Sequence, residues 1–171
     1  MKKIFLTTVM MVISLTLTAQ TGASAYILDA SGTPTNVRNA PNGKVVQTLS
    51  DSGYVVSLLE VKNNWWKIDP LVDIYGDGED DSILLKGSKT GYWVHYSVLG
   101  FGINGDHTNV LRETPSSKAK PLKLEPSYLF EVGLRPLEIQ GKWIKVITTD
   151  KRHTGWMPID RICSNPLTTC P

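Results

Sequence analysis

Two short stretches, Trp65-Trp66-Lys67-Ile68 and Trp143-Ile144-Lys145-Val146, share an aromatic start, a lysine in the third place and a branched apolar end. Each is followed by a second aromatic stretch, Gly91-Tyr92-Trp93-Val94-His95 in the first case and Gly155-Trp156-Met157-Pro158-Ile159 in the second. Apolar residues at every second position mark strands with one covered face. An aromatic strand pair is therefore written twice, and any fold for this chain must accommodate the duplication.

The rest of the sequence agrees with strands. Lys44–Leu49 (KVVQTL) and Tyr54–Val61 (YVVSLLEV) are rich in β-branched and aromatic residues. Turn formers such as Ser50-Asp51-Ser52-Gly53 and Lys62-Asn63-Asn64 separate them. Apolar residues recurring at three and four are nearly absent beyond the N-terminal segment, so an all-β chain is expected.

That N-terminal segment has a different character. Met1-Lys2-Lys3 is basic, Ile4 to Leu17 is apolar except for small hydroxyl residues, and Ala23-Ser24-Ala25 supplies a small-x-small cleavage pattern. Residues 1–25 read as a signal peptide, which places the remainder in the periplasm or outside the cell. An apolar run of 14 residues is short of the roughly 20 that a spanning helix needs, so no membrane insertion is expected of the mature chain. Beyond residue 25 there are 16 basic and 16 acidic side chains, a balance that gives no support to nucleic-acid binding. The balance is uneven: residues 26–101 carry 6 basic and 9 acidic groups, and residues 102–171 carry 10 and 7.

Laid side by side, the halves repeat their features in order. Asn36-Val37-Arg38 with Pro41 corresponds to Asn109-Val110-Leu111-Arg112 with Pro115. Trp93–Leu99 lies over Trp156–Ile162, with a one-residue alternative that pairs Tyr92 with Trp156. An N-V-R start, a W-x-K-[VI] strand and a late G-W-[VM] strand resemble the bacterial SH3 domain family. The resemblance covers about Thr35–Leu99 and Thr108–Ile162, and implies two small SH3-like barrels in tandem, residues 26–100 and 101–171. The second copy departs from the pattern at Leu111 and Pro158. Units of this size are marginal alone, and the connector Gly100–Asp106 is short, so the two are expected to pack together with a groove between them.

Strand alternation puts Trp66 and Ile68 on a core face and Trp65 and Lys67 on the other, with Ile144, Val146, Trp143 and Lys145 repeating the arrangement. Trp65 and Trp143 then close a barrel end or offer a ligand platform. The family resemblance implies a groove beside the late strand, which makes Tyr92, Trp93, Tyr96 and Trp156 candidate ligand-binding residues. Exposed aromatics suit sugar rings and peptide stems because they present large rigid faces.

The first copy carries an insertion, residues 71–87, that includes five acids between Asp73 and Asp81. Asp73, Asp77, Gly78 and Asp81 fall at places 1, 5, 6 and 9 of a calcium loop, but Tyr75 and Leu84 occupy places 3 and 12. Without the bidentate acid, a solvated hairpin is the expectation and calcium its rival. Cys163 and Cys170 read as a disulfide in an exported chain, closing an eight-residue loop and contributing roughly 2.5 kcal/mol.

No G-x-S-x-G elbow, phosphate loop or zinc spacing of His95, His107 and His153 is present. Neither an enzyme nor a cofactor is expected. Two functions remain: an exported binding protein for a cell-envelope ligand, peptidoglycan peptide or glycan, and an interaction or inhibitor/immunity-type module whose acidic insertion recognises an exported protein.

Overall fold

The computed structural model describes residues 21–50, 53–75, 81–104, 111–125 and 128–165. The chain is all-β, with several sheets, and no sheet closes on itself among the described residues. In the first half the strands are β1 (Ala23–Ile27), β2 (Thr35–Arg38), β3 (Val45–Leu49), β4 (Tyr54–Lys62), β5 (Trp65–Ile74), β6 (Asp81–Leu84), β7 (Tyr92–His95) and β8 (Leu99–Gly100). They pair in the order β3-β2-β7-β5-β4-β1-β8, with β6 added as a ribbon on β5. The second half contains β9 (Gly102–Ile103), the helical turn α1 (Tyr128–Val132), β10 (Leu134–Gln140), β11 (Trp143–Thr148), β12 (Thr154–Pro158) and β13 (Ile162–Cys163).

The same strand path recurs. β10-β11-β12 is a meander like β4-β5-β7, and each meander leads through a 3₁₀ turn into a two-residue strand. Bridges from Arg112 to Trp156 and to Pro121 stand where β2 joins β7 and β3. Phe101 bridges Leu134, and β9 pairs β13, as β1 pairs β4 and β8. Details follow the duplication. Lys67 lies opposite Trp93 and Lys145 opposite Trp156, so the ladder matches Trp93 with Trp156 and rejects the register that pairs Tyr92 with Trp156. The Arg38 guanidinium donates to the Gly43 carbonyl and that of Arg112 to the Ala119 carbonyl, both at 2.7 Å. A register shift falls beside Glu60 and beside Glu138, each of which then faces its lysine, Lys67 or Lys145.

Local sequence explains the turns. Asn63 and Asn64, with φ of +50° and +70°, make the two-residue link between β4 and β5, a conformation asparagine tolerates better than most residues. Gly141 at φ +58° serves the corresponding link between β10 and β11. Gly100 has another reason: a Cβ there would come within 2.7 Å of the Leu28 side chain. Leu99 to Ile103 runs on from β8 through the Phe101 bridge into β9, so the last strand of one unit continues into the first strand of the next.

One apolar cluster runs through both halves, from Ala23, Val56, Trp66 and Val94 to Phe101, Leu134, Ile144 and Met157. The junction is polar as well as apolar. The Trp66 indole N–H, fully buried, donates to the Pro136 carbonyl at 3.0 Å. The Arg135 guanidinium donates to the carbonyls of Leu28 at 3.3 Å, Leu99 at 3.1 Å and Ser97. Hydrogen bonds from a charged donor are among the stronger ones, so this strand of the second unit is held to the first. β1 opens at Ala23, inside the stretch that the leader reading assigns to residues 1–25. Cys163 is buried on β13; Cys170, its expected disulfide partner, lies outside the described residues.

A shared core predicts one unfolding event. Urea denaturation followed by tryptophan fluorescence and by far-ultraviolet dichroism should give coincident single transitions. Trp66→Phe removes ring volume and leaves the Pro136 carbonyl unpaired, and should lower stability by about 2–4 kcal/mol without splitting the transition.

Candidate binding site

The alternation read from sequence holds where the two aromatic hairpins begin: Trp66, Ile68, Ile144 and Val146 are buried, while Trp65, Lys67, Trp143 and Lys145 are half-buried. The late strands behave differently from expectation. Tyr92, Trp93 and Trp156 are each only 7% exposed. The Tyr92 hydroxyl donates to the Leu85 carbonyl at 2.9 Å, tying β7 to the chain that follows β6. The Lys145 ammonium lies 5.7 Å from the Trp156 ring, a cation–π contact. All three residues are parts of the packed units, and their faces are not available as a platform. The physical reason is cover on both faces: Tyr92, Trp93 and Val94 are buried in succession on β7, and Gly155, Trp156 and Met157 on β12, and successive residues of a strand point to opposite faces.

The candidate aromatics that keep an accessible face, Trp65, Tyr96 and Trp143, fall into two groups. In the first unit Trp65 meets His95 edge-on at 5.2 Å, and His95 lies 4.7 Å from Tyr96. The Arg38 guanidinium is 5.7 Å from the Trp65 ring. Ser97 contacts the His95 Nδ1 through its hydroxyl at 2.8 Å and donates its backbone N–H at 3.4 Å. Burial lowers the His95 pKa and so favours the neutral ring.

The second group lies between the halves. Trp143 lines a recess of about 550 Å³ together with Thr21 and Gly22 from the approach to β1, Gly141 and Lys142 from the link between β10 and β11, and Pro158, Ile159 and Asp160 after β12. Its size is that of sites for small ligands. An aromatic face, the exposed Lys142 and the exposed Asp160 surround it, so it can contact a ring or stem apolarly and address a carboxylate and an amine. Sequence reasoning singled out Trp143. It missed Lys142, Asp160 and Thr21, because nothing in their neighbourhood marks residues 21, 142 and 160 as meeting in space.

A second recess, of about 330 Å³, runs along Ile27, Leu28, Asp29, Thr33, Pro34 and Leu49 and contains no aromatic. Its carboxylate is already engaged: Asp29 accepts from the Thr35 hydroxyl at 2.8 Å and the Ser31 N–H at 3.0 Å. Burial opposes ionisation of Asp29, but these bonds and nearby Arg135 outweigh it and lower the pKa.

In the acidic ribbon, Asp73 stands opposite Ser82 and Ile74 opposite Asp81; Asp77 lies outside the described residues. No group of three His, Cys, Asp or Glu residues able to hold a metal occurs among the described residues. The ribbon's other feature was not read from sequence. Leu71 and Leu84 face one another across its ladder and are 50% and 57% exposed.

Among the described residues the most perturbed carboxylate is Asp150, beyond β11. It accepts from the Thr148 hydroxyl at 2.6 Å, the Tyr128 hydroxyl at 2.6 Å and the Arg152 N–H at 3.0 Å. The Thr148 and Tyr128 bonds are the main reason its pKa is held down at about 2. Since the folded-state value lies below the ordinary 3.8, the stabilisation is complete above about pH 4 and is lost as pH falls toward 2. Asp150→Asn should therefore lower the melting temperature at pH 7. The gap from the parent protein should close between about pH 4 and pH 2 in a series of thermal melts.

Compared with known proteins, the chain matches no family model and no curated sequence.

Proposed function

We propose that this is an exported, non-catalytic binding protein built from two SH3-like units of the bacterial SH3 kind, and that it takes a cell-envelope ligand, a peptidoglycan peptide or glycan, in the recess beside Trp143. The observation that carries the reading is the half-buried Trp143 set between an exposed lysine and an exposed carboxylate, where the two units meet. Peptidoglycan stems present carboxylates and amines beside apolar groups, and its sugars present flat faces. Both match this lining. Trp65, with His95, Tyr96 and Arg38, offers a second aromatic surface on the first unit.

The test is retention of the purified protein on isolated sacculi. Trp143→Ala and Lys142→Ala should each weaken retention by about tenfold, which corresponds to roughly 1.4 kcal/mol of binding free energy. Trp65→Ala separates the two aromatic surfaces. Retention unchanged in Trp143→Ala with its fold intact would remove this site.

A second reading, a protein-interaction or inhibitor/immunity-type module, is favoured by the ribbon of β5 and β6. Two leucines lie exposed opposite one another on a ladder that also carries Asp73 and Asp81, and such an apolar pair with carboxylates nearby suits a protein surface. Val72 and Leu85 are buried in the core, so the ribbon is tested by substitution at its exposed positions. Leu71→Ser with Leu84→Ser leaves the core intact and should abolish capture of a basic exported partner while sparing sacculus retention.

A further inference from the structure

We propose that the leader is removed at the bond between Ala19 and Gln20, upstream of Thr21, and not after Ala25. The inference rests on the export reading of the first residues, and on a conflict between that reading's cleavage pattern and the sheet. Ala23-Ser24-Ala25 satisfies a small-x-small rule, but the same three residues are the first three of the five in β1. Ala23, Ser24, Ala25 and Tyr26 pair in turn with Leu58, Ser57, Val56 and Val55. Ala23 and Ala25 are buried in the cluster that joins the halves. Their small size answers to packing within a strand flanked by β4 and β8.

Scission after Ala25 would leave one of those four ladder positions, at Tyr26. It would uncover Val56 and Leu58, both fully buried, and set a new α-ammonium inside the sheet. The second unit gives an independent observation. Where β1 stands in the first unit, the second has Phe101 and β9, with Phe101 fully buried and exchanging backbone bonds with Leu134 at 3.0 Å in both directions. A first strand is part of the repeated unit in both copies, and in the second copy no cleavage can remove it.

The sheet's requirement ends two residues before Ala23. Thr21 donates its hydroxyl to the Leu58 carbonyl, and Gly22 takes φ +67° and leaves the extended conformation. Between the apolar run, which ends at Leu17, and Thr21 the sequence is Thr18-Ala19-Gln20. Ala19 is the small residue there that fits the position just before the bond; Leu17, three residues before it, is larger than the pattern prefers. A membrane endopeptidase acting here adds water across the Ala19–Gln20 peptide, leaving a carboxylate on Ala19 and an ammonium on Gln20. Thr21 and Gly22, which wall the Trp143 recess, are then retained.

The experiment expresses the full chain in a bacterial export host and reads the N-terminus of the exported product by sequencing and intact mass. The expected first residue is Gln20, open or cyclised. A start at Ser24 or Tyr26 overturns the inference while leaving the leader reading intact, and an uncut Met1 overturns both. A second measurement compares chains made without a leader, starting at Gln20 and at Tyr26. The longer should unfold in one urea transition, and the shorter should lose that transition. Equal stability of the two chains would overturn the structural reason. Neither readout involves a ligand, so a failure of sacculus retention leaves this inference standing.

Discussion

The Arg135 guanidinium, shared among the carbonyls of Leu28, Ser97 and Leu99, is the contact on which the arrangement of the two halves depends. It caps the end of one unit with a side chain from a strand of the other. Trp66 completes the junction from the opposite direction by giving its one side-chain hydrogen-bond donor to Pro136. Units of this size bury too little surface to be robust alone. A core that continues from Ala23 to Met157 removes that weakness by making each unit part of the other's interior. The recess beside Trp143 is a product of the same docking, because its walls come from the approach to β1 on one side and from the second unit on the other.

Duplication accounts for what the tryptophans do. Trp93 and Trp156 occupy one structural place, opposite Lys67 and Lys145, and both are covered. Trp65 and Trp143 occupy another, at the start of a hairpin strand, and both keep a partly open face. The copies have diverged around the second place. His95, Tyr96 and Arg38 surround Trp65, whereas Pro158, Lys142 and Asp160 surround Trp143. The first unit has in addition grown a ribbon with exposed leucines that the second lacks.

Much of the fold was legible in the sequence because a period of two is a local property. The inward places of Trp66, Ile68, Ile144 and Val146 follow from alternation alone, and the link at Asn63-Asn64 from its turn-forming residues. The candidate site was less legible. Tyr92, Trp93 and Trp156 sit on strands that pattern as well as Trp65 does, and alternation cannot say whether a strand's other face is covered by more chain. Ala23-Ser24-Ala25 shows the same difficulty in another form, since small residues that suit a peptidase also suit a crowded strand.

The sequence by itself determined the all-β class, the repeated strand pair and which residues of each hairpin face inward, since these depend on backbone pleating and on neighbours within a few positions. Only the tertiary structure decided that the halves share one core, that Trp143 borders a recess while Trp93 and Trp156 do not, and that β1 begins at Ala23. Those outcomes depend on contacts between residues such as Trp66 and Pro136, or Leu28 and Arg135, that lie 70 and 107 positions apart. No local pattern encodes such a meeting, because it is fixed by the packing of whole sheets against one another.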